Sequence, residues 1–341
     1  MPLPTLKQFH HKRRALFFMA ETTAGTYQTD ASLYIAANGT VPSDSIKFSP
    51  NVAMVERNPD TTSLQATASV PGQADGKISF TSRIVTGSAL GVAGPLDSLL
   101  LACGMKSVVV ASTSVTYVQD PNSATRLSIG VGIISEDGSV DLQYAISGAA
   151  GSKMVVKAEK PGAPIMVEWE FIGKIASTAN AFISPDGTPP AVTYVDDNSN
   201  GFRFISATLT SGLLSRSISK LELDMGISAE LGANIQDVSG YDYAHFSKQE
   251  PSLTIDPAKV TGATSQDINN MLAGGTASAG FTVTNAGGKK LSISLPFLQP
   301  LSASDDSRGP VSTWGIKAAA RRSQTSAVAD ATNSAVALVF A

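Results

Sequence analysis

Cysteine is nearly absent. Cys103 stands alone among 341 residues, so the chain closes no internal disulfide and nothing points to an oxidising compartment. Histidine is almost as scarce, and His10, His11 and His245 are too few and too scattered for a recognisable metal cluster or nucleophilic triad. Aromatic residues make up 6%, which argues against a carbohydrate-binding module built on exposed stacking rings. No apolar run is long enough to span a bilayer, and the six residues 15 to 20 before Glu21 are too short for the hydrophobic region of a secretory leader. The expectation is a soluble cytoplasmic protein without membrane insertion. No glycine-rich loop ends in Gly-Lys-Ser or Gly-Lys-Thr, so a phosphate-cradling loop of that kind is missing.

Charge is also thin, at 16% of residues with a net of -3. Lys7, Lys12, Arg13 and Arg14 lie in the first twenty residues without an acid among them, so the remaining chain is mildly acidic. Such a body disfavours a surface built to grip phosphates. Asp196-Asp197 and Asp305-Asp306 lack the ligand spacing of a calcium loop and read as solvated loop acids. Glu168 and Glu170, two apart on one strand face, are the only carboxylate pair suited to acid and base work, and a polar sheet face explains them as well. No cofactor is expected.

What the chain does have is the signature of many short strands: 29 glycines, 18 prolines and an abundance of Val, Ser, Thr and Ala. Glu136-Asp137-Gly138 separates two extended runs, residues 126 to 131 and 140 to 146, as a hairpin turn does. After the break at Lys160-Pro161-Gly162, Val167, Trp169 and Phe171 take one face of a strand and the two glutamates the other. Leu96, Leu99, Leu100 and Cys103 fall at i, i+3, i+4 and i+7 between Pro95 and Gly104, predicting a short amphipathic helix with Cys103 as a small core residue. His245, in Tyr241-Asp242-Tyr243-Ala244-His245-Phe246, reads as strand or loop rather than a catalytic base.

The pattern repeats. At an offset of 175, residues 45 to 48 fall on 220 to 223, Ile78 and Phe80 on Leu253 and Ile255, and residues 85 to 87 on 260 to 262. A second short helix is expected over residues 265 to 273, and residues 167 to 171 match 336 to 340 as a strand closing each copy. A stretch rich in turn formers, residues 176 to 201, separates the copies. The organisation expected is an N-terminal arm over 1–20, a first domain over 21–175, a linker over 176–201 and a second domain over 202–341.

Residues 14 to 27, Arg-Ala-Leu-Phe-Phe-Met-Ala-Glu-Thr-Thr-Ala-Gly-Thr-Tyr, resemble the opening of the major tail tube proteins of long, non-contractile-tailed bacteriophages and related prophages. Further strings keep the family's order: residues 48 to 51, 54 to 59, 70 to 72, 77 to 80, 94 to 96, 102 to 104, 114 to 117, 136 to 138 and 160 to 162. The resemblance covers residues 13 to 173 and is weaker beyond. It implies a mainly β fold of two tandem tail-tube-like β-sandwich domains, each with a short flanking α-helix, forming a continuous inner β-barrel on assembly. It also implies a structural virion protein rather than an enzyme, assembled in the host cytoplasm as a homotrimeric, pseudo-hexameric ring. Its partners would be further copies of itself, tape measure and tail terminator proteins, and double-stranded DNA passing without specific binding. The alternatives are a tail terminator or neck protein, a surface β-sandwich adhesin, and a polysaccharide-degrading enzyme using Glu168 and Glu170. The strands around 45 to 57 and 220 to 230 are the candidates for the inner sheet, with Lys47, Ser49, Asn51, Glu222, Asp224, Ser228 and Glu230 toward the channel. Such a lining is expected to be acidic, with Lys47 as the exception.

Overall fold

The computed structural model describes residues 14–28, 33, 43–56, 68–120, 122–123, 125–134, 140–176, 200–210, 216–260, 269, 271–323 and 330–341. The chain is mainly β. The first half supplies β1 (Arg14–Ala20), β2 (Ser43–Val55), β3 (Val70–Arg83), β4 (Met105–Val110), β5 (Ser114–Gln119), β6 (Leu127–Ile134), β7 (Val140–Ala158) and β8 (Met166–Ile175), together with the helix α1 (Asp97–Ala102). The second half supplies β9 (Thr208–Thr210), β10 (Leu221–Asp224), β11 (Ile227–Ala233), β12 (Tyr241–Gln249), β13 (Ser252–Ile255), β14 (Ala277–Thr284), β15 (Lys290–Arg308), β16 (Val311–Arg321) and β17 (Ala337–Phe340).

One antiparallel sheet runs in the order β2-β3-β8-β7-β10-β13-β16-β15-β17-β5-β4, while β11 and β12 form a ladder of their own. Its first eight strands fall into two runs, β2-β3-β8-β7 and β10-β13-β16-β15, each opening with two strands paired antiparallel and ending in the longest strand of its half. The long strands change neighbours along their length. β7 pairs β6 through its first half and β10 through its end, and β15 pairs β14 early and β16 later.

Period-2 alternation accounts for the faces. On β8 every second residue, from Val167 through Trp169 and Phe171 to Ile175, is buried, and those between are half-exposed. Phe80, Trp169 and Phe171 stack with ring centroids 6.0 to 6.3 Å apart. These side chains belong to one apolar core that draws residues from both halves. The expected helix forms, with Leu96, Leu99, Leu100 and Cys103 at most 2% exposed, against β1, β4, β6 and β7. Gly104, at φ +74°, ends it in the left-handed conformation that glycine adopts without strain.

Several expectations change. Arg14–Ala20 is no arm but a buried strand paired along its whole length with β6, because its apolar residues face the core on both sides; residues 1–13 lie outside the described residues. Ile134 faces Val140 across the β6·β7 pair as a hairpin requires, while the turn at 136 to 138 and the stretch 177–199 lie outside the described residues. Of the second helix, residues 269, 271 and 272 are helical and Ala273 donates to the Asn269 carbonyl at 2.9 Å, with Gly274 following at φ +63°. Residues 167–171 and 337–340 are strands as expected, but they have different neighbours: β8 lies between β3 and β7, whereas β17 lies between β15 and β5. A strand at 221–230 fails as a single element. Gly226, at φ +56°, breaks it with its N–H on the Asp224 carboxylate at 2.8 Å, so β10 and β11 enter different ladders. Asp305 and Asp306 are strand residues of β15, not loop acids.

Candidate functional site: the polar face of the sheet

The face of β8 that carries Glu168 and Glu170 is the centre of the candidate surface. Strand pairing places Lys47 opposite Ser79, Ser79 opposite Glu170, and Glu170 opposite Lys153. Further along, Lys157 faces Glu222, Glu222 faces Thr254, and Thr254 faces Lys317. Candidate residues from both halves thus share one face of one sheet. Lys47, Ser49, Asn51 and Glu222 are exposed there and Asp224 is half-buried, while Ile46, Leu221 and Leu223 point to the core.

Ser228 and Glu230 do not join them. They lie on β11, where they pair with Lys248 and His245 of β12. Ala229 and Ala244, with Leu231 and Phe246 beside them, pack on Ala150 and Ile172 at the far end of β7 and β8. There the outward residue of β8 is Ile172 instead of a glutamate, so the apolar underside of the hairpin covers an apolar end of the face. Lys174 reaches Asp237 in the hairpin's loop at 2.5 Å. His245 is exposed on β12, its ring tilted against that of Tyr243 with centroids 4.3 Å apart.

The open part of the face is mixed in charge rather than acidic. Glu168 receives Lys157 at 2.6 Å and Lys153 at 3.0 Å, and Glu170 receives Lys77 at 3.3 Å and the Ser152 hydroxyl at 2.8 Å. Burial alone would raise the Glu168 carboxyl, but the hydrogen bonds from Lys157 and Lys153 outweigh it and hold it below the ordinary carboxylate range. Its bond to Glu168 in turn lifts Lys157 above the ordinary lysine value. A general acid needs a carboxyl raised toward neutrality, and Glu168 is moved the other way. An open groove of about 280 Å³ is lined by Lys47, Lys153 and the two glutamates. Lys77, Lys153 and Lys157 are engaged by the two glutamates, which reduces the charge they offer to a polyanion.

The glutamate in the string of residues 14 to 27 has a structural task that sequence patterning did not reveal. Glu21 accepts the N–H groups of Gly25 and Gly148, both at 2.7 Å, and the Ser128 hydroxyl at 2.9 Å. Burial pushes its carboxyl above the usual value, against the pull of those donors. Gly25 sits at φ +81°, so the Glu-Thr-Thr-x-Gly string is a turn anchored on β6 and β7. Among the described residues, no group of three or more His, Cys, Asp or Glu could hold a metal, and no helix is long and apolar enough to cross a membrane. No protein-family model matches the chain, and no curated protein matches it in sequence.

Proposed function

We propose that the protein is the tube-forming subunit of a long, non-contractile phage or prophage tail, a structural component of the virion. In this reading the chain holds two tandem β-sandwich copies, three chains close a pseudo-hexameric ring, and stacked rings form the conduit for double-stranded DNA. The observation that carries it is the single polar face spread over eight strands, β2-β3-β8-β7 followed by β10-β13-β16-β15.

The two blocks agree in detail. Phe48 faces Ile78 and Ile78 faces Phe171, as Leu223 faces Leu253 and Leu253 faces Ala318. The same offsets carry the Ile84 N–H on the Ile165 carbonyl, at 3.0 Å, onto the Lys259 N–H on the Ser312 carbonyl, at 2.9 Å. Even the bulge between Gly151 and Lys153 recurs between Pro300 and Ser302. Irregularities at matching places are poorly explained by chance alternation, because bulges are local features of a particular strand.

A duplicated block suits a closed ring, since a sheet that continues from chain to chain leaves no edge to aggregate. A lining in which Lys77, Lys153 and Lys157 are paired to glutamates suits DNA passage, because free cations would gain counterion-release affinity for phosphates spaced about 1.7 Å along the axis. Tape measure and tail terminator proteins are the further partners this reading implies. Negative-stain imaging of the purified protein, with mass measurement of an isolated ring, is the test: tubes or rings of three chains are expected, and a protein that stays monomeric at all concentrations overturns the reading.

A further inference from the structure

Inside one chain the two blocks meet at a junction with a definite register. β10 lies antiparallel to the end of β7, with Leu221 facing Ala158, Glu222 facing Lys157, Leu223 facing Val156 and Asp224 facing Val155. The Met225 N–H donates to the Met154 carbonyl at 3.0 Å, so hydrogen-bonded pairs recur every second residue at 223 and 221. Glu222 and Lys157 are therefore a non-hydrogen-bonded pair, the kind whose side chains lie closest.

The counterpart of β10 is β2, and the counterpart of the end of β7 is the end of β15. Among the described residues, β2 has only β3 beside it, and residues 304 to 307 have only β16. Carrying the junction over by the offsets of the two blocks sets Ile46 against Ser307, Lys47 against Asp306, Phe48 against Asp305 and Ser49 against Ser304.

We propose that β2 of one copy pairs antiparallel with residues 304 to 307 of β15 in a second copy, with Lys47 opposite Asp306. This rests on the ring reading above and names its interface. Ile46 and Ser307 take the place of Leu221 and Ala158, a hydrogen-bonded pair, so the Ile46 carbonyl and the Ser307 N–H must both point outward. Each does, and each is held by a side chain meanwhile: the Ile46 carbonyl accepts from Arg14 at 2.6 Å, and the Ser307 N–H donates to the Asp306 carboxylate at 2.8 Å. The charges also match, since the Glu222 and Lys157 pair becomes Lys47 and Asp306 with the signs exchanged, both residues standing exposed. Pro50 ends the junction, because it has no N–H where Met225 donates.

Full-length chains carrying Lys47→Asp, Asp306→Lys or both test this by sedimentation against concentration. Each single reversal is expected to raise the concentration needed for assembly at least tenfold, and the double reversal to restore it. Lys47→Cys with Asp306→Cys gives a second arm, since a non-hydrogen-bonded pair holds Cα atoms about 4.5 Å apart, within disulfide reach. Oxidation of assembled protein is expected to link copies in that variant but not in Lys47→Cys with Ser302→Cys, four residues out of register. Thermal melts of the monomers establish that each variant folds, and the cross-linking arm decides if a reversal does not. Rings that form without the cross-link and ignore the reversals overturn the interface while leaving the ring reading in place. Wild-type protein that never assembles overturns both.

Discussion

Gly151 of β7 and Cys103 at the end of α1 are in such close apposition that a β-carbon on Gly151 would stand 3.1 Å from the Cys103 Cα and inside contact with its sulfur. The helix thus docks its last buried residue onto bare backbone. Gly151→Ala should cost about 1–3 kcal/mol, as overpacking of a tight core does, because the obstruction includes backbone that cannot rotate away. Urea unfolding measures it. The Cys103 thiol, pushed upward by complete burial, should stay unmodified by alkylating reagents in the native protein and react on unfolding.

Leu99 and Leu100 are 0% and 2% exposed beneath the same helix. Replacing either by Ala should lower stability by roughly 2–5 kcal/mol. A loss under about 0.5 kcal/mol would mean that the helix is not seated on the core.

The Glu168 cluster gives a pH dependence with a definite sign. Its folded carboxyl lies below the ordinary value of 4.5, so the native state holds the charged form more tightly than the unfolded chain does. The stabilisation is complete above the ordinary value and disappears as the pH falls through the lowered one. Glu168→Gln should therefore flatten the stability profile on the acid side of that value, and unfolding midpoints of the two proteins compared at pH 7 and below pH 4 would reveal it.

At Gly226 a β-carbon would collide with the Glu250 carbonyl, and the residue sits at φ +56°. Gly226→Ala should destabilise by about 1–2 kcal/mol from the left-handed conformation alone, with the collision adding to it. Amide exchange would show the loss concentrated in β10 and β11.

Charge on the polar face offers a functional measurement. Glu222→Lys would set two cations opposite each other across the β7·β10 pair. If the chain assembles as proposed, tubes of this variant should bind duplex DNA with an affinity that falls steeply with salt and should slow its passage. Salt-independent binding would remove the electrostatic part of the reading.

Much of this was written locally in the chain. Alternation marked the faces of β8 and β10, the heptad-like spacing of Leu96, Leu99, Leu100 and Cys103 marked α1, and one offset of 175 placed Phe48 and Ile78 on the ladder positions of Leu223 and Leu253. That offset could not hold to the end. The β4·β5 hairpin belongs to the first half, and beyond it the offset no longer matches ladder positions: Ile78 faces Phe171 and Leu253 faces Ala318, a pair that the offset of 175 does not join. Arg14–Ala20 escaped because both its faces are buried, which removes the alternation that advertises a strand. The break at Gly226 escaped because a single glycine within an alternating run does not disclose its φ. Pairing of the face lysines with Glu168 and Glu170 depends on β3, β7 and β8 coming together, and no spacing along the chain encodes it.

The place of β17 bears on how the protein is made. Residues 337 to 340 lie between β15 and β5, so among the described residues the β4·β5 hairpin of the first half joins the main sheet through β17 alone. During synthesis the early half waits with that edge and the end of β7 unpaired while the ribosome makes β10 and everything after it. Contacts this distant in sequence form slowly, and the open edges invite pairing with neighbouring nascent chains. Completion of the sheet is thereby tied to the synthesis of β17, and a chain halted after its first half would be a seed for aggregation.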